Sequence, residues 1–327
     1  MDSFWKNKRV LITGANGFLG SHLSIVLLRN GARVIGIIKE TPKVSYLKIA
    51  LKQIRRPKIR IVKSDVTNFK AMLDIFKKYR PHVCLHVAAQ PIVVIANKSP
   101  FPTFEANIKG TWNILEAARI SKVRSVVVAS SDKAYGTHKK LPYNEEAALL
   151  ALHPYDASKS CADIISRCYA HTYGLPVAVT RCANIYGPGD FNFSRIIPAT
   201  IEAAILKRSP IIRSDGTPLR DYVFIDDIVR GYLVLAKKLY RGKVKSGEAF
   251  NFGTGRPISV LSLVNKILKI SQRQDLKPVI LSKKKIKGEI DKQYLSSRKA
   301  KVILGWSACK PFMKGLEESF TWYCRNL

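Results

Sequence analysis

The chain has 327 residues and 46% of them are hydrophobic, enough for one large domain or two lobes around a sizeable core. Lys and Arg number 56 against 23 Asp and Glu, a net charge of +33, so polyanions must be weighed as partners: nucleic acid, an anionic membrane surface or a diphosphate-bearing substrate. No run reaches the roughly 18 apolar residues of a membrane-spanning helix, and six scattered cysteines without a Cys-x-x-Cys pair read as reduced thiols, with no metal site expected.

The first residues, MDSFWKNKRVLITG, run straight into a strand and leave no room for a secretory signal, so a cytoplasmic protein is expected. RVLITG is a short β-branched run, and SHLSIVLLRNG reads as an amphipathic helix ending at Gly31. ARVIGII is the second strand and Ile59–Val62 the third, followed by the helical AMLDIFKKYR and the strand VCLHVAA. TFEANIKGTWNILEAARIS reads as one long helix, and SVVVASS as a further strand. This βαβα order predicts an α/β fold with a doubly wound, parallel Rossmann sheet. After about Gly174 the rhythm changes to short apolar runs between Pro/Gly turns. Residues 1–176 are therefore expected to form the dinucleotide-binding domain. Residues 177–327 mainly form a smaller C-terminal α/β substrate lobe, with segments such as PVAVTRC returning to the main sheet. The polar, basic run LSKKKIKGEIDK reads as a mobile surface segment.

Between the first strand and its helix stands Gly14-Ala15-Asn16-Gly17-Phe18-Leu19-Gly20. Glycines at this spacing let the backbone turn tightly and approach a pyrophosphate at the helix N-terminus. The second strand ends in Ile37-Ile38-Lys39-Glu40, where an acid normally binds the adenosine ribose. Ile38 occupies the expected acid position, Glu40 lies slightly late, and Lys39 could meet a 2′-phosphate; NAD is still expected, with NADP open. Asp65-Val66 follows the third strand, where a carboxylate can accept from the adenine amino group or cap the helix beginning near Asn68.

Tyr155 and Lys159 lie at i and i+4, on one helix face. A phenol near pKa 10 becomes a useful base when a neighbouring ammonium and an oxidised nicotinamide stabilise its anion. Ser130 and Ser131 end the strand SVVVASS, where a doubly wound sheet opens onto its crevice. A hydroxyl, a phenol and a lysine meeting there form a proton relay for oxidising an alcohol.

TGANGFLG, HVAA, SSDKAYG, YDASK, RCANIYGPGD, RDYVFIDD and KAKVILGW together resemble the extended short-chain dehydrogenase/reductase (NAD-dependent epimerase/dehydratase) family, in order and over almost the whole chain. The resemblance implies a nucleoside-diphosphate hexose as substrate, a homodimer, and a cofactor site that includes Ala88, Ala89, Asn107 and Ser130. Ser131-Asp132-Lys133 is similar to the Thr-Asp-Lys of the CDP-glucose 4,6-dehydratase branch, with serine for threonine. There Asp132 would act as acid at C6 if its pKa is raised, and Lys133 as base at C5; the alternative is an ion pair capping the strand end. A 4-epimerase of the same family is the competing activity, and a non-catalytic protein binding nucleic acid or membrane is a third, less favoured one. By family position, Asn184 binds the substrate phosphate or else stabilises the turn before Tyr186. Arg195 and Ile196 line the nucleobase pocket, unless Arg195 is a solvated surface arginine. Arg220 grips the diphosphate, while Gln90 lies near the nicotinamide–sugar junction without an assigned role. Ala96 stands where many relatives carry a sugar-contacting serine.

Overall fold

The computed structural model describes residues 2–282 and 290–327, so most of the basic run LSKKKIKGEIDK lies outside the described residues. In chain order the strands are β1 (Arg9–Thr13), β2 (Arg33–Ile38), β3 (Ile59–Lys63), β4 (Val83–His86), β5 (Val126–Ala129), β6 (Val177–Cys182), β7 (Asn184–Tyr186), β8 (Ile211–Ile212), β9 (Leu219–Arg220), β10 (Tyr222–Phe224) and β11 (Ala249–Phe252). Three two-residue strands follow: β12 (Ile258–Ser259), β13 (Val279–Ile280) and β14 (Lys292–Gln293). The helices are α1 (Phe18–Arg29), α2 (Tyr46–Leu51), α3 (Phe69–Tyr79), α4 (Val93–Lys98), α5 (Pro100–Phe104), α6 (Gly110–Ile120), α7 (Pro154–Tyr173), α8 (Ile196–Ile205), α9 (Ile225–Tyr240), α10 (Val260–Ile270) and α11 (Phe312–Asn326).

Seven strands form one parallel sheet in the order β11-β6-β5-β4-β1-β2-β3. The chain winds outward from β1 through β2 to β3, then crosses to β4 and winds the other way. The crevice at the reversal, between the carboxyl ends of β1 and β4, is where an open α/β sheet binds ligands. The central strands are buried on both faces, as their unbroken β-branched runs require. One apolar layer gathers Trp5, Leu23, Phe250, Phe252 and Trp306, and the layer on the other face gathers Phe76, Ile114 and Leu115.

Beyond residue 176 the chain does not leave the sheet at once. Both β6 and β11 pair within it, and α9 packs against β5 and β6. The remaining short strands form small sheets above the carboxyl edge: β7 with β10, β9 between β12 and β14, and β8 with β13.

One element departs from its sequence expectation. The segment expected as a single long helix is interrupted at Glu105–Lys109 by a π turn between α5 and α6. Asn107, inside it, turns its amide to the loop after β4, accepting from Gln90 N at 2.7 Å and donating to Gln90 O at 3.1 Å. Gly110 follows because a Cβ there would lie 2.6 Å from Val66 Cγ2. A widened turn of this kind often marks a functional site.

The sheet and the following loops are tied by a buried ion pair. Arg181 of β6 holds Asp163 of α7 through two bonds of 2.7 and 2.9 Å, and also donates to the Tyr135 hydroxyl and Glu145 O. Both side chains are almost wholly out of solvent. Because removing one partner strands a buried charge, Arg181→Leu is expected to lower the unfolding free energy by about 3–5 kcal/mol. A urea titration reads this as a lower midpoint at unchanged slope; a wild-type midpoint would contradict it.

Candidate active site

A cleft of about 900 Å³ opens at the carboxyl edge of the sheet, between it and the segments following β6. One end is walled by Gly14, Asn16, Gly17, Phe18, Leu19, Gly20, Lys39, Asp65 and Val66, the middle by Ala88, Ala89, Ser130, Ser131, Asp132, Lys133, Tyr155 and Lys159, and the far end by Asn184, Arg195 and Ile196. Residues expected from scattered motifs thus meet around one space.

At the dinucleotide end, Gly14 has φ +65°, and a Cβ there would lie 2.9 Å from the Cα of Ala88. The β1–α1 turn and the β4 loop can approach only because Gly14 has no side chain. Gly17 is the N-cap of α1 and no side chain caps the helix. The free N–H groups and positive dipole end therefore suit a pyrophosphate. Lys39 and Asp65, expected to contact different parts of the nucleotide, instead form an ion pair at 3.0 Å. Asp65 also accepts from Thr67 N at 2.9 Å, closing a turn, whereas the cap of α3 is Asn68, not Asp65. These groups fit a nicotinamide dinucleotide.

In the middle, α7 begins with Pro154 and places Tyr155 in its first turn. Tyr155 lies beside Ser131 and is pushed up to about 12, by burial first and by Asp132 and Asp156 next, while Arg195 and Ser131 pull it down. Lys159 donates through Nζ to Ala129 O at 2.8 Å, and burial pulls it down to about 8. Its charge is therefore present below about pH 8 and lost above it. Ser131 Oγ donates to Asp132 Oδ1 at 3.1 Å and accepts from Lys133 N at 3.2 Å.

Asp132 is 3% exposed. Burial raises it to about 6, Asp221 adds to the rise, and Lys133, Ser131 and Arg220 oppose it. Among the described residues its Oδ2 has no hydrogen-bond partner. Lys133 reaches away to Gln293 Oε1 at 3.1 Å, so Asp132 and Lys133 make no direct ion pair capping the strand end.

Three expected site residues do not line the cleft. Asn107 stands behind it, shaping the Gln90 loop and donating to Ser158 Oγ at 2.9 Å. Gln90 is bound into its own loop by Thr103 Oγ1 at 3.0 Å and by Ile92. Arg220 is buried, its Nη1 donating to the carbonyls of Leu219 at 3.0 Å and Asp291 at 3.3 Å. Asn184 faces the cleft and donates to Asp221 O at 3.1 Å, which ties β7 to the residue preceding β10 and not to the turn beyond Tyr186. Arg195 is half-buried in the cleft wall and paired with Asp190 at 2.8 Å. Arg213 and Asn192, not singled out from the sequence, line the same wall. In a chain with 56 Lys and Arg, nothing in the sequence distinguishes Arg213 from the rest.

Residues 10–253 match the model of the NAD dependent epimerase/dehydratase family. A UDP-glucuronate 4-epimerase of Thermodesulfobacterium geofontis is 30% identical over 97% of this chain and 96% of its own. A CDP-glucose 4,6-dehydratase of Salmonella typhimurium is 30% identical over 77% of this chain and 72% of its own. Among solved structures, a UDP-glucose 4-epimerase from Thermotoga maritima with UDP-glucose superposes with a TM-score of 0.87 at 28% identity, covering 97% of this chain and 99% of that one. A dTDP-glucose 4,6-dehydratase from Bacillus anthracis in complex with NAD gives 0.84 at 26% identity, covering 98% and 97%. The site and the fold are those of a dinucleotide-dependent sheet enzyme. The chain belongs to the NAD dependent epimerase/dehydratase family, and the dinucleotide expected from its sequence is accordingly NAD.

Gly14→Ala tests the cofactor end. It forces a side chain into positive φ and against the Ala88 backbone, a cost of about 1–3 kcal/mol. The variant is expected to unfold at lower urea and to purify with at least tenfold less bound dinucleotide. Wild-type retention would contradict the assignment.

Proposed function

We propose that this protein is a sugar-nucleotide 4,6-dehydratase of the CDP-glucose type, turning a nucleoside-diphosphate hexose into the 4-keto-6-deoxy product. The observation that carries the reading is Asp132, a buried carboxyl raised to about 6 with one oxygen unpartnered, beside Ser131 and Tyr155 in the cleft. An epimerase needs only the relay that moves the C4 hydroxyl proton. A second acid that is half-protonated near pH 6 suits the protonation of a leaving hydroxyl.

NAD, held by the Gly14–Gly20 turn and the loops after β3 and β4, supplies the hydride acceptor for C4 and the donor for C6. Tyr155, as the phenolate, takes the C4 hydroxyl proton and, once Asp132 has given up its own, returns it through Ser131 to Asp132. Lys159, charged below about pH 8, offsets the phenolate charge. Once C4 is a ketone the C5 hydrogen is acidic. Lys133, when unprotonated, removes that proton while Asp132 gives its own to the C6 oxygen, and water leaves. The proton on Lys133 then returns to C5.

Asn184, Arg195, Ile196 and Arg213 form the wall for the nucleoside diphosphate, with residues 177–327 supplying most of the substrate site and residues 1–176 the dinucleotide site. The homodimer rests on exposed Phe101, Trp112, Ile164 and Tyr173 on α5, α6 and α7, where one apolar face is left open. The second reading, a 4-epimerase, is supported by the UDP-glucuronate 4-epimerase relative, which matches nearly the full chain.

Incubation with CDP-, UDP-, dTDP- and GDP-hexoses is expected to give a 4-keto product whose absorbance shifts in alkali. A C4 epimer formed without loss of water would sink the dehydratase. Tyr155→Phe is expected to lower turnover by about 10²–10⁴-fold while substrate binding, followed by calorimetry, changes little. Asp132→Asn should still reduce the dinucleotide on substrate addition, yet release product about 10²–10⁴-fold more slowly. Since the proton donor is the neutral acid, wild-type water loss should fall as pH rises through Asp132's titration, and this limb should vanish in Asp132→Asn. An unchanged limb would exclude Asp132 as the acid.

A further inference from the structure

The excess charge is not spread evenly over the fold. In a parallel sheet every segment entering a strand lies at one edge and every segment leaving it lies at the other. The seven segments that lead into the sheet (residues 2–8, 30–32, 52–58, 80–82, 121–125, 174–176 and 241–248) carry twelve lysines and arginines against two acids. The segments that leave it on the active-site side (14–17, 39–45, 64–68, 87–92, 130–153, 183 and 253–257) carry six against five. A uniform compositional bias would load both edges alike.

Backbone bonds fix the entering segments side by side. Arg33 N donates to Lys8 O at 2.8 Å, Val34 N to Lys58 O at 2.9 Å, and His82 N to Arg9 O at 2.9 Å. Arg9 Nε reaches Arg80 O at 2.8 Å, and Arg124 Nη1 the Tyr240 hydroxyl at 3.1 Å. Of the twelve cations all but Lys8, which is half-buried, are exposed. The two acids are already engaged, Asp2 with Lys237 and Glu248 with Lys299. His82 reports the field: burial and then the charges of Arg9, Lys8 and Arg124 pull it down.

We infer that this edge is a docking surface for an anionic membrane, holding the enzyme peripherally with its cleft turned to solvent. Charge complementarity gives the class of partner, since clustered lysines and arginines near a lipid surface add attraction residue by residue. The cations span the end of a seven-stranded sheet, a width of about 30 Å at ~4.8 Å per strand, and one further observation favours lipid over nucleic acid. A cavity of about 530 Å³ between α1 and α9 shares Asp2, Arg241 and Lys243 with this edge, and Trp5, Val26, Leu233 and Val234 give it apolar walls. Apolar space beside exposed cations matches an acyl chain and its phosphate head, and nucleic acid has no use for it.

The test is co-sedimentation of the full chain with vesicles of phosphatidylcholine, with and without about one third phosphatidylglycerol, at low and high salt. Wild type is expected to pellet with anionic vesicles only, and to be released by salt as screening shortens the field. Lys6→Glu, Arg56→Glu, Lys122→Glu and Arg241→Glu combined should lower the partition at least tenfold. A control with the same charge change elsewhere, Arg208→Glu, Lys269→Glu, Lys277→Glu and Lys301→Glu combined, should bind like wild type. Thermal unfolding of both variants separates lost binding from lost fold. Equal loss in the two variants, equal binding to neutral vesicles, or displacement by nucleic acid at equal phosphate concentration would each overturn the inference.

Discussion

The site depends on the way α7 is pinned to the end of β5. Lys159 Nζ donates to Ala129 O at 2.8 Å, and Ser130 Oγ donates back to Lys159 O at 3.0 Å. These two bonds join the helix carrying the phenol and the ammonium to the strand end carrying Ser131 and Asp132. The Ser130 bond is buried and the Lys159 bond part-buried, and losing either would leave a polar atom without its partner. They hold the helix against the strand end, and Tyr155, one turn before Lys159, stands with Ser131 in the cleft wall. Burial is also what moves Tyr155, Lys159 and Asp132 from their ordinary pKa values. Geometry and acidity at this site therefore share one cause.

The residues that could be read directly from sequence were those whose chemistry is local. The Gly14–Gly20 turn needs only its own spacing and a preceding strand, and Tyr155 and Lys159 need only a helix. The strand runs of the sheet were legible because burial on both faces demands uninterrupted apolar residues. What was not legible is set by distant partners. Nothing near Lys39 announces that it pairs with Asp65, and nothing near Arg220 announces that its Nη1 donates to the carbonyls of Leu219 and Asp291. The π turn at Asn107 was hidden because local propensity favours a continuous helix, while the demand for widening comes from the Gln90 loop.

Charge shows the same division. Along the chain the cations look dispersed, and only the winding of the sheet sorts them. Segments as few as about 20 and as many as about 75 residues apart become neighbours because each parallel strand must start from the same edge. The active-site edge stays close to balanced, which keeps Asp132 and Asp65 from being overwhelmed by surrounding cations. A strongly positive field at the cleft would lower a carboxyl that has to keep its proton. The entering edge thus carries a larger share of the net positive charge than the cleft edge does.

The segments beyond β6 complete the device. Asp221 accepts from Thr254 N at 3.1 Å and Gly255 N at 3.0 Å, and so gathers the loop after β11. Its backbone N donates to Gln293 O at 3.2 Å, and Gln293 in turn holds Lys133. The same Asp221 carboxylate is among the charges that raise Asp132. One residue thus sets the position of the loops that close the cleft and contributes to the acidity of the group at its centre. If those loops moved outward, Asp132 would lose both the shielding from water and the neighbouring negative charge, and it would fall toward an ordinary carboxylate. The acidity of Asp132 is therefore tied to the packing of these loops, because both its burial and the neighbouring Asp221 charge depend on where they sit.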